Sequence, residues 1–199
     1  MTTHIYGSYV AGWFALAAGF ASTFASVLII LFYVVGGPFG TLNDIFNGIA
    51  GILSVILAWM LFSNFRLNSS FMPRVAFILA MIGAIIVVIG SILIIFDFTG
   101  WVLAGWYTTV GNAFIGIWLI TFSDFAQRNN MLPRKLLTFG LIVGSIMAVG
   151  IVAIPGIVMG VDSMESTPWY ISLGFLGFIG TYFLYPIWTI WLGRTLLSR

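Results

Sequence analysis

The chain has no cysteine, one histidine (His4), one lysine (Lys135) and little charge, with only 6% of its 199 residues Asp, Glu, Lys or Arg. Each scarcity excludes something. Without cysteine there is no disulfide, no thiolate ligand and no iron–sulfur cluster. One histidine cannot make a bis-histidine haem site; a single axial ligand from His4 is the most the chain could offer a haem or chlorin. Lys135 falls at the edge of an apolar stretch, too shallow for a buried Schiff base. There is no HExxH, no Gly-Lys-Ser phosphate loop and no Ser–His pair within reach. The formal net charge of +2 is too small to point to nucleic acid.

What is present is apolar. The chain is 61% hydrophobic, with a mean hydropathy of +1.16. A soluble domain carries roughly 25% charged residues, and a soluble fold of this composition would expose large apolar patches and aggregate. An integral membrane protein is expected. A membrane-spanning helix needs about 20 mostly apolar residues. Six such stretches occur, near 9–35, 45–63, 74–96, 101–122, 136–160 and 168–193. The short connections leave no room for a soluble domain, so residues 1–199 are read as one all-α transmembrane domain. The first ten residues, MTTHIYGSYV, lack the basic region of a signal peptide. The first stretch is therefore expected as a retained helix.

The few charges are sorted. With six spans, Arg66, Arg74, Arg128, Arg134, Lys135, Arg194 and Arg199 all fall on one side. The other side carries Asp44, Asp97, Asp162 and Glu165 and no basic residue. Basic loops stay in the cytoplasm, so both termini are expected there. The tripeptide Asn68-Ser69-Ser70 matches a glycosylation acceptor, but this topology makes it cytoplasmic. Trp101, Trp106 and Trp169 are expected at the outer boundary, and Trp13, Trp59, Trp118, Trp188 and Trp191 at the inner one, as an aromatic belt.

Residues 62–74, FSNFRLNSSFMPR, return sixty positions later as FSDFAQRNNMLPR, residues 122–134. The offset continues in Gly51 and Gly111, in Gly90 and Gly150, and in Ala80 and Ala84 against Gly140 and Gly144. Helices 2–3 and 4–5 are thus expected to be tandem copies of one helical hairpin, in parallel rather than inverted orientation. In each copy Pro73 or Pro133 suits the first turn of the next helix, with Ser70 or Asn130 before it as a possible cap. Helices 6 and 1 could form a third hairpin and complete a pseudo-threefold bundle. Pro186 should kink helix 6, and Pro155 should disturb the end of helix 5.

Small residues recur at spacing four in Ala11, Ala15, Gly19 and Thr23, in Ala18, Ser22 and Ser26, in Ala76, Ala80 and Ala84, and in Gly140, Gly144 and Ala148. Such stripes let helix backbones approach in a membrane, where lipid offers no hydrophobic drive to association. They suit a tight bundle, packing against a membrane-protein partner or second copy, or room for a flat lipophile.

Polar candidates are few. In GTLNDIFNGIAG, Asn43 and Asn47 share a helix face with Asp44 nearby. Thr41, Asn43 or Asp44 could cap helix 2, or the group could form an outward-facing polar vestibule. In WYTTVGNAFIGIW, Asn112 lies mid-span, with Thr108 and Thr109 one turn away. A buried amide in hydrocarbon needs a partner, and Ser54, Ser145, Thr181 and Tyr182 are candidates. The ligand or polar-path residues are therefore Asn43, Asp44, Asn47, Thr108 and Asn112. The absence of charge at mid-span argues against proton coupling.

The opening of helix 2, FGTLNDIFNGIAGILSVILAWML, resembles small polytopic membrane proteins of bacteria that carry no assigned function. The resemblance implies a bacterial cytoplasmic membrane and transfers no active site. The expected function is non-enzymatic. It is either an accessory subunit of a membrane complex or a protein holding a lipophile such as a lipid, quinone or carotenoid. A small channel or facilitator for a neutral or small solute is the alternative. No cofactor or metal is expected, and the partner is the lipid bilayer.

Overall fold

The computed structural model describes residues 2–64 and 71–198. Arg66, the Asn68-Ser69-Ser70 tripeptide and Arg199 lie outside the described residues, as does the side chain of His4.

Six helices are long and apolar enough to cross a membrane. They are α1 (Thr2–Val35), α2 (Phe39–Asn64), α3 (Phe71–Ile95), α4 (Trp101–Arg128), α5 (Arg134–Val158) and α6 (Trp169–Leu197). Each packs on its sequence neighbours, and α6 returns to α1, so the helices close a ring. Arg74, Arg128, Arg134, Lys135 and Arg194 belong to helix ends on one side, here the basic end. Asp44, Asp97, Asp162 and Glu165 belong to the opposite, acidic end.

Breaks in the helices follow the prolines. Pro155 has no N–H for the carbonyl of Ile151, and the backbone before it tightens into a 3-10 turn over Val149–Ala153. Ahead of Pro186, α6 widens into a π-helical turn over Gly180–Leu184.

Two expected caps are corrected. Helix α2 starts at Phe39, with Leu42 N bonded to Pro38 O at 3.0 Å, so Asn43 and Asp44 lie inside the helix and do not cap it. Asn130 ends α4 instead of starting α5. Its φ of +51° is left-handed, a region asparagine tolerates, and Met131 N bonds back to Ala126 O. The residue before α5 is Pro133, which gives no side-chain cap.

The small-residue stripes face inward. Ala11, Ala15, Ala76 and Ala80 are buried, and so are Gly140 and Gly144. Helices α4 and α5 meet backbone to backbone. A Cβ added at Gly144 would stand 2.7 Å from Gly116 O, and one at Gly116 would stand 2.8 Å from Gly144 O. Helices α1 and α6 do the same, a Cβ at Gly193 falling 2.8 Å from Gly12 O. The exposed member of the stripes is Thr23, whose hydroxyl bonds to Gly19 O at 2.8 Å.

The basic half of the bundle is filled. Leu57, Leu61, Trp118, Phe122, Leu136, Trp188 and Leu192 form one continuous buried core. Trp118 meets Trp188 edge to face at 6.5 Å and stacks on Phe122 at 5.7 Å. This corrects the aromatic belt. Trp106, Trp118 and Trp188 are core residues at 2%, 2% and 0% exposure. Their large surfaces fill the gaps that small-residue helices leave. Trp13, Trp59 and Trp169 stay exposed.

Leucine at Gly144 cannot be accommodated without separating α4 from α5. We expect Gly144→Leu to destabilise the protein by about 1–3 kcal/mol, the usual cost of overpacking. Thermal unfolding in detergent, compared with wild type, checks this. An unchanged melting temperature would contradict the close approach.

Candidate functional site

The acidic half is packed differently. Its apolar residues split into two clusters. One surrounds Trp106, Val110 and Ala153 on α4 and α5, and the other surrounds Ala25, Ile29 and Tyr182 on α1 and α6. Between them lies a cavity of about 110 Å³ lined from α1, α2, α4 and α6. An apolar cavity of about 150 Å³ can hold benzene, so this space suits a small molecule or part of a larger one.

Asn43, Asp44, Asn47, Thr108 and Asn112, the five polar candidates, all line this cavity. Aromatic rings make much of the wall, including Tyr33, Trp101, Trp106, Phe175 and Phe178. Tyr33 and Trp101 meet edge to face at 5.8 Å, joining the ends of α1 and α4. Met164, from the α5–α6 connection, also lines the cavity.

That connection is held by a carboxylate. Asp162 accepts bonds from Gly100 N at 2.6 Å, Leu103 N at 3.0 Å and the Thr99 hydroxyl at 3.2 Å. Gly100 precedes helix α4 as its N-cap residue and gives it no side-chain cap. Asp162 satisfies two of its free amides from sixty residues away, and its charge complements the helix dipole.

Below the aromatic rings lies a hydrogen-bond network. Asn43 Nδ2 donates to Ala25 O at 2.8 Å. Asn47 Nδ2 donates to Asn43 Oδ1 at 3.1 Å and to the Tyr182 hydroxyl at 2.6 Å. The Ser26 hydroxyl donates to Tyr182 O and to Ser22 O. The network joins α1, α2 and α6 at the π-helical turn, which carries Tyr182. One turn further in, the Tyr185 hydroxyl donates to Ser54 Oγ at 2.8 Å. A smaller polar recess here is lined by Ser22, Asn47, Ser54, Asn112, Thr181 and Tyr185, among others.

Asn112 departs from expectation. Its hydrogen bond runs from Nδ2 to Thr108 O at 2.9 Å, within its own helix, and it joins no other span. Ser145 is exposed and faces away. Ser54, Thr181 and Tyr182 share the recess with Asn112 but are not bonded to it. Sequence reasoning missed the aromatic wall from Tyr33, Phe175 and Phe178, and it missed the Asp162 clamp. The wall residues sit in apolar runs without distinguishing neighbours, and the clamp spans a separation that no local pattern reports.

Among the described residues, no group of three or more His, Cys, Asp or Glu could hold a metal ion. Compared with known proteins, the chain matches no family model, no curated protein and no solved structure.

Asn47 and Asn112 should respond differently to substitution. Asn47→Leu leaves the buried Asn43 Oδ1 and the Tyr182 hydroxyl without their donor and should cost about 1–2 kcal/mol. Asn112→Leu loses one bond within a helix and should cost about 0.6 kcal/mol or less, the average for hydrogen bonds in membrane bundles. Thermal unfolding of both variants in one detergent checks the order. Equal losses would contradict the network described here.

Proposed function

We propose that this chain is a multi-pass membrane protein that binds a small amphipathic molecule in the cavity between α1, α2, α4 and α6. The observation carrying this reading is the convergence of three buried asparagines, Asn43, Asn47 and Asn112, with Asp44 on one aromatic-walled cavity. Ligand pockets are typically apolar concavities with a few placed polar groups, and this one has that make-up. A lipid fragment, a quinone headgroup or a carotenoid end ring has the matching chemistry. The charge distribution supports cytoplasmic termini, with the cavity opening at the outer face of a cell membrane, as in bacteria. The chemistry proposed is binding, not turnover.

Two other readings draw different support. The stripes that could dock an accessory subunit are largely covered by the chain's own helices, so a structural role in a complex has less to stand on. A facilitator draws support from the polar recess lined by Ser54 and Tyr185, which continues the cavity inward. Flux would need the Trp118–Trp188 core to open, since that core closes the basic half. The sixty-residue repeat fits a duplicated hairpin, which we keep as part of the proposal.

Gly105 offers a direct test. It lines the cavity, and a Cβ added there meets nothing within 4 Å. Gly105→Leu should fill the space without a clash and leave stability equal or slightly higher, since glycine within a helix costs roughly 0.5–1 kcal/mol relative to alanine. Native mass spectrometry in mild detergent should find a small ligand on wild type, and Gly105→Leu should lose it. A wild type that carries no ligand and binds no quinone or lipid probe saturably would remove this reading.

A further inference from the structure

The electrostatics of the cavity point to the sign of its ligand. Asp44 lines the cavity and is neither fully buried nor fully exposed. Among the described residues its carboxylate makes no hydrogen bond and no ion pair, whereas Asp124 pairs with Arg128 at the basic end. A partly desolvated carboxylate without a partner is unfavourable, and it is relieved by taking up a proton or by attracting a cation. Among the described residues the chain supplies no such cation: Arg74, Arg128, Arg134, Lys135 and Arg194 all belong to the basic end. Helix α2, with 26 residues, separates the two ends by roughly 39 Å at 1.5 Å per residue.

Several of the neighbouring donors are already engaged by protein. Asn47 turns Nδ2 to Asn43 and Tyr182, and Asn43 turns Nδ2 to Ala25 O. Asn112 turns Nδ2 to Thr108 O, and the Thr108 hydroxyl donates to Ala104 O. These donors are engaged by protein, while the Asp44 carboxylate is not. The buried Trp106 Nε1 stands as a donor without a partner in the same lining, but an anion placed there would meet the like charge of Asp44.

The walls add a third argument. Tyr33, Trp101 and Phe178 line the same space, and aromatic faces attract cations, quaternary ammonium groups in particular. The other acidic residues of this end, Asp97, Asp162 and Glu165, reinforce a field that gathers cations near the mouth.

We infer that the cavity ligand is a small organic ammonium cation, its charged group between the Asp44 carboxylate and the aromatic wall. This rests on the binding reading above and deepens it.

Choline and 3,3-dimethyl-1-butanol test it, because the alcohol has the shape of choline with carbon in place of the charged nitrogen. Calorimetry on the purified full chain would measure both probes against wild type, Asp44→Asn, Asp44→Glu and Gly105→Leu. Choline should bind wild type at least tenfold tighter than the alcohol. Asp44→Asn should lose about tenfold or more of that affinity, the size expected for removing one charge pair at close range. Asp44→Glu should keep most of it, and Gly105→Leu should abolish it. Because Asp44 makes no bond, Asp44→Asn should melt like wild type. If it does not, the two probes on wild type and Asp44→Glu still decide the sign. Equal affinity for both probes, or choline binding that Asp44→Asn leaves unchanged, would overturn the cation and leave the cavity reading in place. Binding of neither probe would overturn the cation as well, and with the quinone and lipid probes also silent it would overturn the cavity reading.

Discussion

The close contact of α4 with its two flanking helices sets the rest of the structure. Gly111 lies against Gly83 O and Val87 of α3, and Gly116 lies against Gly144 O of α5. Side chains cannot intervene at these points, so three backbones are locked at short range. Lipid supplies no hydrophobic force to do this, and dispersion between closely packed backbones must replace it. Once α3, α4 and α5 are fixed, α1, α2 and α6 have to close the ring around whatever the α4 side chains leave. Toward the basic end those side chains are Trp118, Leu119 and Phe122, which fill the middle. Toward the acidic end they are Gly105, Thr108, Thr109 and Asn112, which do not. One helix therefore produces both a dry half and a hollow half.

The hollow half would collapse without support, and two devices hold it open. The first is the network of Asn43, Asn47, Tyr182 and Ser26, which joins α1, α2 and α6 through groups that have no water to fall back on. Its geometry needs the π-helical turn of α6, because one extra residue in that turn changes which side chains face inward. Pro186 follows after Tyr185 and makes an irregular turn cheaper there, having no N–H to lose. The second device is Asp162, which binds the start of α4 and so anchors the connection that carries Met164 to the mouth.

The architecture was legible in the sequence because it rests on long-range averages. Hydropathy over twenty residues marks a long apolar helix, whatever the neighbours do. The polar candidates were legible for a related reason. An asparagine such as Asn43 or Asn112 within an apolar span is costly wherever it lies, so its identity alone marks it. Partners were less legible. Asn112 turned to its own helix because a backbone carbonyl four residues back is always within reach, whereas a side chain on another helix must be brought there. The tryptophans misled for the converse reason. An indole at a span end and an indole filling a core obey the same apolar preference, and only the small residues facing Trp118 and Trp188 separate the two cases. Asp44 and Asn130 looked like caps because the helix boundaries lay several residues from where hydropathy put them.

Charge and packing together give the molecule a direction. A carboxylate, a few amides and hydroxyls and aromatic rings surround the hollow, and among the described residues the arginines and the lysine belong to the opposite end. In water such a separation would be screened within about a Debye length of roughly 10 Å. Across a low-dielectric bundle it is not, so a cation in the cavity would interact with Asp44 more strongly than an exposed pair does. Continuing toward the basic end, the same cation would leave Asp44 and meet a core of leucine and tryptophan. On the proposed reading, binding from the acidic end is therefore downhill and passage beyond it is uphill. This asymmetry is the physical reason to read the molecule as a receptor for its ligand before reading it as a path.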